Sequence, residues 1–257
     1  MNYNNSGNVP PVKTINSQKR TIIILLIALF VALAVLGFLY FKGQRQHQDI
    51  GFKTEEEVME YFVERVGKGD FEGALKVFAV NHMAENYDLT EYLERVQAWN
   101  TYQGMIYSSR NPSFRQANRQ SQAGVFMRQI ANAYFSLYGD EEFTQGVVVT
   151  VPEGEGEKVA QSLLSPDVST LKIKHVQNML EDRDEEWLED YEENLSRWCA
   201  IYGGEAMAEY SVTYEYNGEE YYGGVTLIQY DSLWYIYTAN SNLAGTSGTG
   251  HLEKEFE

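Results

Sequence analysis

The most uniform hydrophobic pattern in the chain covers residues 22–41 (IIILLIALFVALAVLGFLYF), which contain no charged, amide or proline residue. A helix of twenty residues is roughly 30 Å long, which matches the hydrocarbon core of a bilayer. A cleaved signal peptide has a shorter apolar core that ends at a small-x-small site. The triplet Ala32-Leu33-Ala34 has that form, but further bulky apolar residues follow it. We therefore predict a retained transmembrane helix over 21–42 that contacts the lipid bilayer through 22–41.

The flanking segments bear on membrane orientation. Residues 1–20 are polar and lack an apolar period, which is typical of a disordered tail, and residues 43–53 form a polar juxtamembrane linker. Three basic residues precede the span and three follow it (Lys13, Lys19, Arg20; Lys42, Arg45, Lys53), so the positive-inside rule is undecided. A first apolar span behind a short tail commonly inserts with the tail inside. We therefore expect a single-pass signal-anchor protein of the cell membrane with a cytoplasmic N-terminus and an extracytoplasmic C-terminal domain.

Helical periodicity begins after the linker. Thr54 and Glu57 form a capping-box pattern, and apolar residues recur behind it at helical spacing. Asp70 is predicted to cap a second helix that carries Phe78. Asp88 or Thr90 is predicted to begin a third helix, with Leu93 turned inward. A longer helix is predicted over Gln116–Leu137, a short one over Glu157–Leu164, and an acidic amphipathic one over 184–202.

Strand patterns dominate the C-terminal part. Strands are predicted over Val147–Val151 and Ser169–Val176. A meander that ends in Leu233–Thr238 is predicted next. Its first strand is indicated by alternating residues from Tyr210, and its first turn by Asn217-Gly218. In the return strand, Gly223-Gly224 is expected to be a bulge or a close approach. The predicted fold is α+β: a transmembrane helix, then a domain over 54–243 with packed helices on a curved, mainly antiparallel sheet that ends in a three-stranded meander. Residues 244–257 are predicted to fray.

Composition excludes some functions. The formal net charge is -17, and because residues 1–53 carry six Lys/Arg and one Asp, the remainder carries -22. Nucleic-acid affinity comes from phosphate neutralisation, so no nucleic-acid partner is expected. Cys199 is the single cysteine, which excludes an intramolecular disulfide and a cysteine-based zinc cluster. No cofactor is expected.

The order of elements resembles the nuclear-transport-factor-two-like superfamily, the α+β cone fold. The likeness rests on three stretches of the sequence: EEVMEYFVERVGKGDFEGALKVF (56–78), KIKHV (172–176) and AEYSVTYEYNGEEYYGGVTLIQYDSLWYIYTANSNLAG (208–245). It points to uncharacterised, membrane-anchored extracytoplasmic members of Gram-positive bacteria. The layout is also similar to the inner-membrane scaffold subunit of type IV secretion systems. Residues 100–165 and 184–202 depart from a minimal cone.

No catalytic constellation stands out, and the protein is expected not to be an enzyme. His47, His82, His175 and His251 are interpreted as solvated or packed residues, and Cys199 as a small core residue. The acids counted from Asp182 superficially resemble a calcium loop, but Trp187 stands where the sharp turn needs Gly, so no metal is expected. A cavity enzyme of isomerase type stays an alternative.

Two patterns favour binding, and we expect a non-catalytic scaffold with a possible protein partner in the envelope. Residues 95–139 contain five Arg and no acid. One interpretation is a docking surface, whose ligand is an acidic partner, anionic lipid headgroups or an anionic envelope polymer. The other is internal: the arginine-rich segment packs near the acids of 181–193. The Tyr-rich strands either line a pocket for a small molecule or glycan or fill the interface between sheet and helices. The candidate binding residues are Arg110, Arg115, Arg119, Tyr214, Tyr222 and Trp234.

Overall fold

We describe the fold from a computed structural model of the 257-residue chain. The structure describes residues 48–98, 105, 107–137, 150–162, 168–181, 185–246 and 248–254. His47 to Glu257 form one compact unit. No helix within the described ranges is long and apolar enough to cross a membrane. The predicted tail (1–20) and transmembrane helix (21–42) lie outside those ranges and stay predictions.

The described ranges contain seven helices, of which six precede the first strand and one lies between the first two strands. They are α1 (Glu55–Gly67), α2 (Phe71–Leu75), α3 (Val80–Asn86), α4 (Leu89–Val96), α5 (Pro112–Ser136), α6 (Gly156–Ser162) and α7 (Glu185–Tyr202). The capping box of Thr54 and Glu57 is present, Asp70 caps α2, and Asp88 caps α4. These ends are predictable because each cap lies within three residues of the amide that it binds.

The sheet is antiparallel, in the order β1-β2-β3-β4. Its strands are β1 (Lys172–Asn178), β2 (Ala206–Tyr216), β3 (Glu219–Tyr230) and β4 (Leu233–Thr238), and β5 (Glu253–Lys254) pairs with β3 beside Tyr221 and Tyr222. The predicted three-stranded meander is β2-β3-β4. Its first turn uses positive φ at Asn217 (53°) and Gly218 (83°), as the Asn-Gly pair indicated.

The sheet is covered on both faces. Glu209, Thr226 and Ile228 share one face, which is contacted by Tyr191 and Cys199 of α7 and by the segment 240–246. The other face carries Val212 and Leu227, which join one continuous core with apolar residues of α1, α3 and α5. Phe78 links these layers, since its ring lies 5.7 Å from that of Phe62 and 4.6 Å from that of Phe126.

Several element boundaries differ from the sequence predictions. The long helix α5 begins one turn before Gln116, because Asn111 caps it and Pro112 occupies its first turn. The second helix ends at Leu75, so the buried Phe78 follows it, and α3 was not predicted. Leu93 is 37% exposed instead of inward. Thr150 and Val151 are not in a strand, while residues 147–149 lie outside the described ranges.

Ordered contacts extend past both predicted limits of the domain, 54 and 243. Near the N-terminal limit, Phe52 and Trp234 exchange two backbone hydrogen bonds of 3.1 and 2.7 Å. Near the C-terminal limit, the Ser241 hydroxyl donates to Glu209 (2.7 Å), and Leu252 is buried against the core. The domain therefore includes part of the predicted juxtamembrane linker and part of the predicted tail.

Candidate functional site

Two exposed aromatic rings lie side by side where the chain enters α5. Tyr107 is 39% exposed and Phe114 is 42% exposed, and their stacked rings have centroids 5.0 Å apart. Phe114 lies in the first turn of α5, and residues 108–111 connect it to Tyr107. Water is excluded from the faces that the rings share, but their outer faces remain exposed. An aromatic pair of this kind can contribute several kcal/mol to binding when a partner covers it.

A buried amide holds Tyr107 in this position. Asn118 is 1% exposed, its Nδ2 donates to the Tyr107 carbonyl (2.6 Å), and its Oδ1 accepts from the Tyr107 amide (3.3 Å). The Ser109 hydroxyl also donates to the carbonyl of Tyr87 (2.6 Å), which ties the connecting turn to the residue that follows α3. The chain thus uses interior polar groups to hold an exposed ring, so little conformational freedom is left to lose when a partner binds.

Replacing Asn118 with alanine is expected to destabilise this turn. The backbone N–H and C=O of Tyr107 would lose their partner, at a cost of about 1–3 kcal/mol. Chemical denaturation of the full chain in detergent measures the change. Gln120→Ala, an exposed substitution in the same helix, is the control, and equal stabilities of the two variants would contradict the role assigned to Asn118.

Arginines are close neighbours of the aromatic pair in the sequence. Arg110 is exposed and directly precedes the α5 cap, while Arg115 is half-buried beside Phe114. Neither forms an ion pair with any acid in the described ranges. Arg119 differs, because its Nη2 contacts Glu85 of α3 at 3.1 Å. We call the set Tyr107, Arg110, Phe114 and Arg115 the α5 surface.

The structure places members of the arginine-rich segment in different surroundings. Arg95 packs on α7: its guanidinium carbon lies 3.7 Å from the Trp198 ring centroid, and its Nη2 donates to Asn194. With Arg119 on Glu85, two of the five arginines have internal roles. Within the described ranges, none of the five forms an ion pair with an acid of 181–193. Arg110 and Arg115 therefore remain candidates for an external partner.

The other predicted binding residues lie apart on the sheet. Tyr214 pairs with Tyr221 and is buried at 2% exposure, so it fills the core. Tyr222, the next residue on β3, points to the opposite face, and its hydroxyl donates to Glu253 of β5. Trp234 is half-buried and pairs with Phe52. The structure does not gather Tyr214 and Tyr222 on one face.

The interior tyrosines behave as core residues. Tyr202 and Tyr237 lie with ring centroids 5.1 Å apart, and burial raises the pKa of Tyr237 to about 12. Burial also raises the pKa of Tyr87 and of the Cys199 thiol. These groups stay protonated at neutral pH, and the interpretation of Cys199 as a buried residue is confirmed.

Sequence reasoning missed a second polar arrangement, because it joins residues 33 positions apart. The side chain of Asp49 is 3% exposed, and its Oδ2 lies 2.9 Å from His82 Nδ1. The same carboxylate accepts from the amides of Asn81 (2.8 Å) and His82 (3.1 Å) and from the Asn81 side chain (2.7 Å). The His82 ring also packs 4.9 Å from Tyr230 and 4.7 Å from Tyr235. Asp49 fell in the predicted linker, so no local signal pointed to it.

No group of three or more His, Cys, Asp or Glu within the described ranges could hold a metal ion. No protein-family model matches the sequence, and no curated protein matches it. Among solved structures, a cystatin-like protein from Ruminococcus gnavus ATCC 29149 aligns with a TM-score of 0.45 at 15% identity. The match covers 79% of this chain and 45% of that one, so the chain spans less than half of that protein. A likeness at this TM-score assigns neither a fold family nor a function.

Proposed function

We propose that this protein is a single-pass membrane protein whose extracytoplasmic α+β domain binds a protein partner in the cell envelope and has no catalytic role. The α5 surface is the observation that carries the proposal. It combines exposed aromatic rings, arginines that pair with no acid of the described ranges, and a buried brace at Asn118. The apolar stretch 22–41 supports the anchor, and the resemblance to cone-fold proteins stays part of the proposal.

The partner is an acidic protein segment that carries an apolar side chain. Arg110 and Arg115 supply charge that no acid of the described ranges neutralises, and the first turn of α5 adds the positive end of a helix dipole. The outer faces of Tyr107 and Phe114 supply the apolar contact. Tyr and Arg are enriched among residues that dominate binding energy, and charged residues around them fix orientation and raise the association rate.

Cross-linking in membranes tests the proposal. The full chain, tagged at its C-terminus, is cross-linked in intact cells and purified from detergent-solubilised membranes. We expect one protein to co-purify at a fixed stoichiometry, and to be lost from a chain that carries Arg110→Glu and Phe114→Ala. Recovery of the chain alone after efficient cross-linking would contradict the proposal. Recovery of lipid or envelope polymer alone would indicate that the α5 surface binds an anionic surface instead of a protein, which would also contradict the proposal.

Orientation can be tested separately. Protease added to intact cells stripped of their wall is expected to cut within residues 54–257, because the domain lies outside the membrane. A cytoplasmic marker protein that stays intact provides the control for lysis. Protection of residues 54–257 while an external marker is digested would reverse the orientation.

The pair of Asp49 and His82 favours the cavity enzyme as a second candidate. A buried carboxylate that orients an imidazole through Nδ1 leaves Nε2 as a potential general base, as in hydrolase triads. That role requires a substrate held beside Nε2. NMR spectra of the histidine side chains, recorded with increasing amounts of candidate carbonyl substrates, test this role. A change in the chemical shifts of His82, but not of His175, would favour the enzyme. The pocket for a small molecule or glycan and the type IV secretion scaffold stay alternatives without an observation of their own.

A further inference from the structure

Residues 49–52 dock along the body of the domain. The Ile50 amide donates to the Lys76 carbonyl (2.6 Å), and Phe52 pairs with Trp234 on the outer edge of β4. Gly51 permits this approach, because a Cβ there would lie 2.4 Å from the Tyr235 ring. We call residues 49–52 the docked segment. It follows the predicted membrane helix and linker and leads directly into α1.

Asp49 also supplies the missing cap of α3. The preceding residue, Ala79, has no side chain that can accept a hydrogen bond, so it cannot cap α3, and the Val80 amide donates to the Phe78 carbonyl (2.8 Å). The Asp49 carboxylate takes that role from outside the helix, through the amides of Asn81 and His82. Docking of the segment and formation of the first turn of α3 are therefore coupled through one buried carboxylate.

We propose that Asp49, His82 and the rings of Tyr230 and Tyr235 form a proton-responsive latch that fastens the docked segment to α3 and weakens when the imidazole loses its proton. The protonated imidazole donates from Nδ1 to Asp49 with a charge-assisted hydrogen bond, which is about twice as strong as a neutral one. Loss of the Nε2 proton to water leaves the Nδ1–H bond but removes the positive charge. The latch then holds by a neutral donor alone.

The groups around His82 fix the sign of the response. Asp49 of the docked segment, Glu85 of α3 and Asp231 of the β3–β4 turn are acidic, while Tyr230 and Tyr235 contribute neutral rings. Arg119 of α5 contacts Glu85 in this region. The hydrogen bond to Asp49, opposed by burial, raises the pKa of His82 above its ordinary value of 6.5. The added stability is thus complete below pH 6.5 and is lost as the pH rises through the folded-state value.

The inference does not depend on the proposed partner, because latch and α5 surface share no residue. Its consequence concerns attachment. When the latch is closed, residues 49–52 lie against the domain. When it opens, residues 49–52 join the preceding linker and α3 loses its cap. A domain attached in this way changes the length of its own tether with pH.

Hydrogen–deuterium exchange on the full chain in lipid nanodiscs tests the latch. After correction for the intrinsic pH dependence of exchange, peptides covering 49–53 and 80–84 should open about five-fold more often at pH 8.5 than at pH 6. Peptides from the centre of β3 should not change. In His82→Gln, which keeps a neutral donor, the pH dependence should disappear. At both pH values the docked segment should then exchange as fast as it does in the wild type at pH 8.5.

His175→Gln provides the matched control, because His175 is an exposed histidine on β1. It should retain the full pH response. If His82→Gln does not fold, the wild-type profile and an NMR titration of His82 still decide the matter. Protection of 49–53 that is constant between pH 6 and 8.5, or a response that persists in folded His82→Gln, would overturn the proposal.

Discussion

Replacing Gly224 with alanine is expected to destabilise the domain by about 3 kcal/mol, which corresponds to a fall in melting temperature of roughly 6–12 °C. A Cβ at Gly224 would lie 2.4 Å from the Ser241 amide nitrogen and 2.4 Å from the Thr246 hydroxyl oxygen. The Ser241 backbone cannot move aside as easily as the end of a flexible side chain can. The sequence left a bulge or a close approach open here, and the register with β2 is continuous, so the glycine serves a close approach.

The segment that faces Gly224 cannot move away at low cost. Ser241 is fully buried, and its hydroxyl donates to Glu209 (2.7 Å). Glu209 in turn accepts from the Leu243 amide (3.2 Å) and the Tyr191 hydroxyl (2.5 Å), so a shift of residues 240–246 would leave a buried carboxylate with fewer donors. Relief of the clash would therefore disrupt a buried polar network.

Gly124→Ala is the matched control, since it makes the same chemical change in α5. A Cβ at Gly124 meets nothing within 4 Å, and alanine in an exposed helix is favoured over glycine by about 1 kcal/mol. Thermal denaturation followed by tryptophan fluorescence should move the two variants in opposite directions. Failure of Gly224→Ala to accumulate as folded protein would agree with the expectation, and a melting temperature equal to wild type would contradict it.

The second large effect concerns binding. Arg110→Glu combined with Arg115→Glu is expected to weaken partner binding roughly 100-fold while leaving stability nearly unchanged. Two arginines that attract an acidic segment would become two acids that repel it, in a domain that already carries excess negative charge. Biolayer interferometry with the full chain in nanodiscs and the purified partner measures the affinity. Binding by wild type should also weaken as salt rises, because charge attraction is screened.

Arg128→Glu is the control for this experiment. Arg128 is an exposed arginine of the same helix, about 20 Å from Arg115 along the axis, so it makes the same charge change away from the α5 surface. Affinity equal to wild type is expected. Equal losses in the control and the double variant would indicate a general charge effect instead of a defined contact.

The features that could be predicted from the sequence depend on close neighbours. The Thr54–Glu57 capping box and the Asn217-Gly218 turn are formed by residues a few positions apart, and the alternation from Tyr210 specifies the β2 faces. The arginine-rich segment was recognised from composition alone. Its division into internal and exposed members required the structure, because it depends on Trp198 and Glu85.

The unpredicted features depend on distant partners. Helix α3 is short and lacks its own cap, and its cap comes from Asp49, 32 positions from Asn81. Residues 253–254 pair with β3 although their sequence reads as a polar tail. Tyr107 is held in place by Asn118, a polar residue that is buried on α5. Local periodicity contains no information about such pairings.

Photo-cross-linking from the α5 surface tests the central claim most directly. A benzophenone side chain is placed at Phe114 or, as the control, at Phe135, which is 39% exposed and about 32 Å further along α5. After irradiation of intact cells, we predict one cross-linked protein from Phe114, at reduced yield when Arg110 and Arg115 are reversed in charge, and none from Phe135. No adduct from Phe114, or the same adduct from both positions at equal yield, would contradict a partner site on the α5 surface.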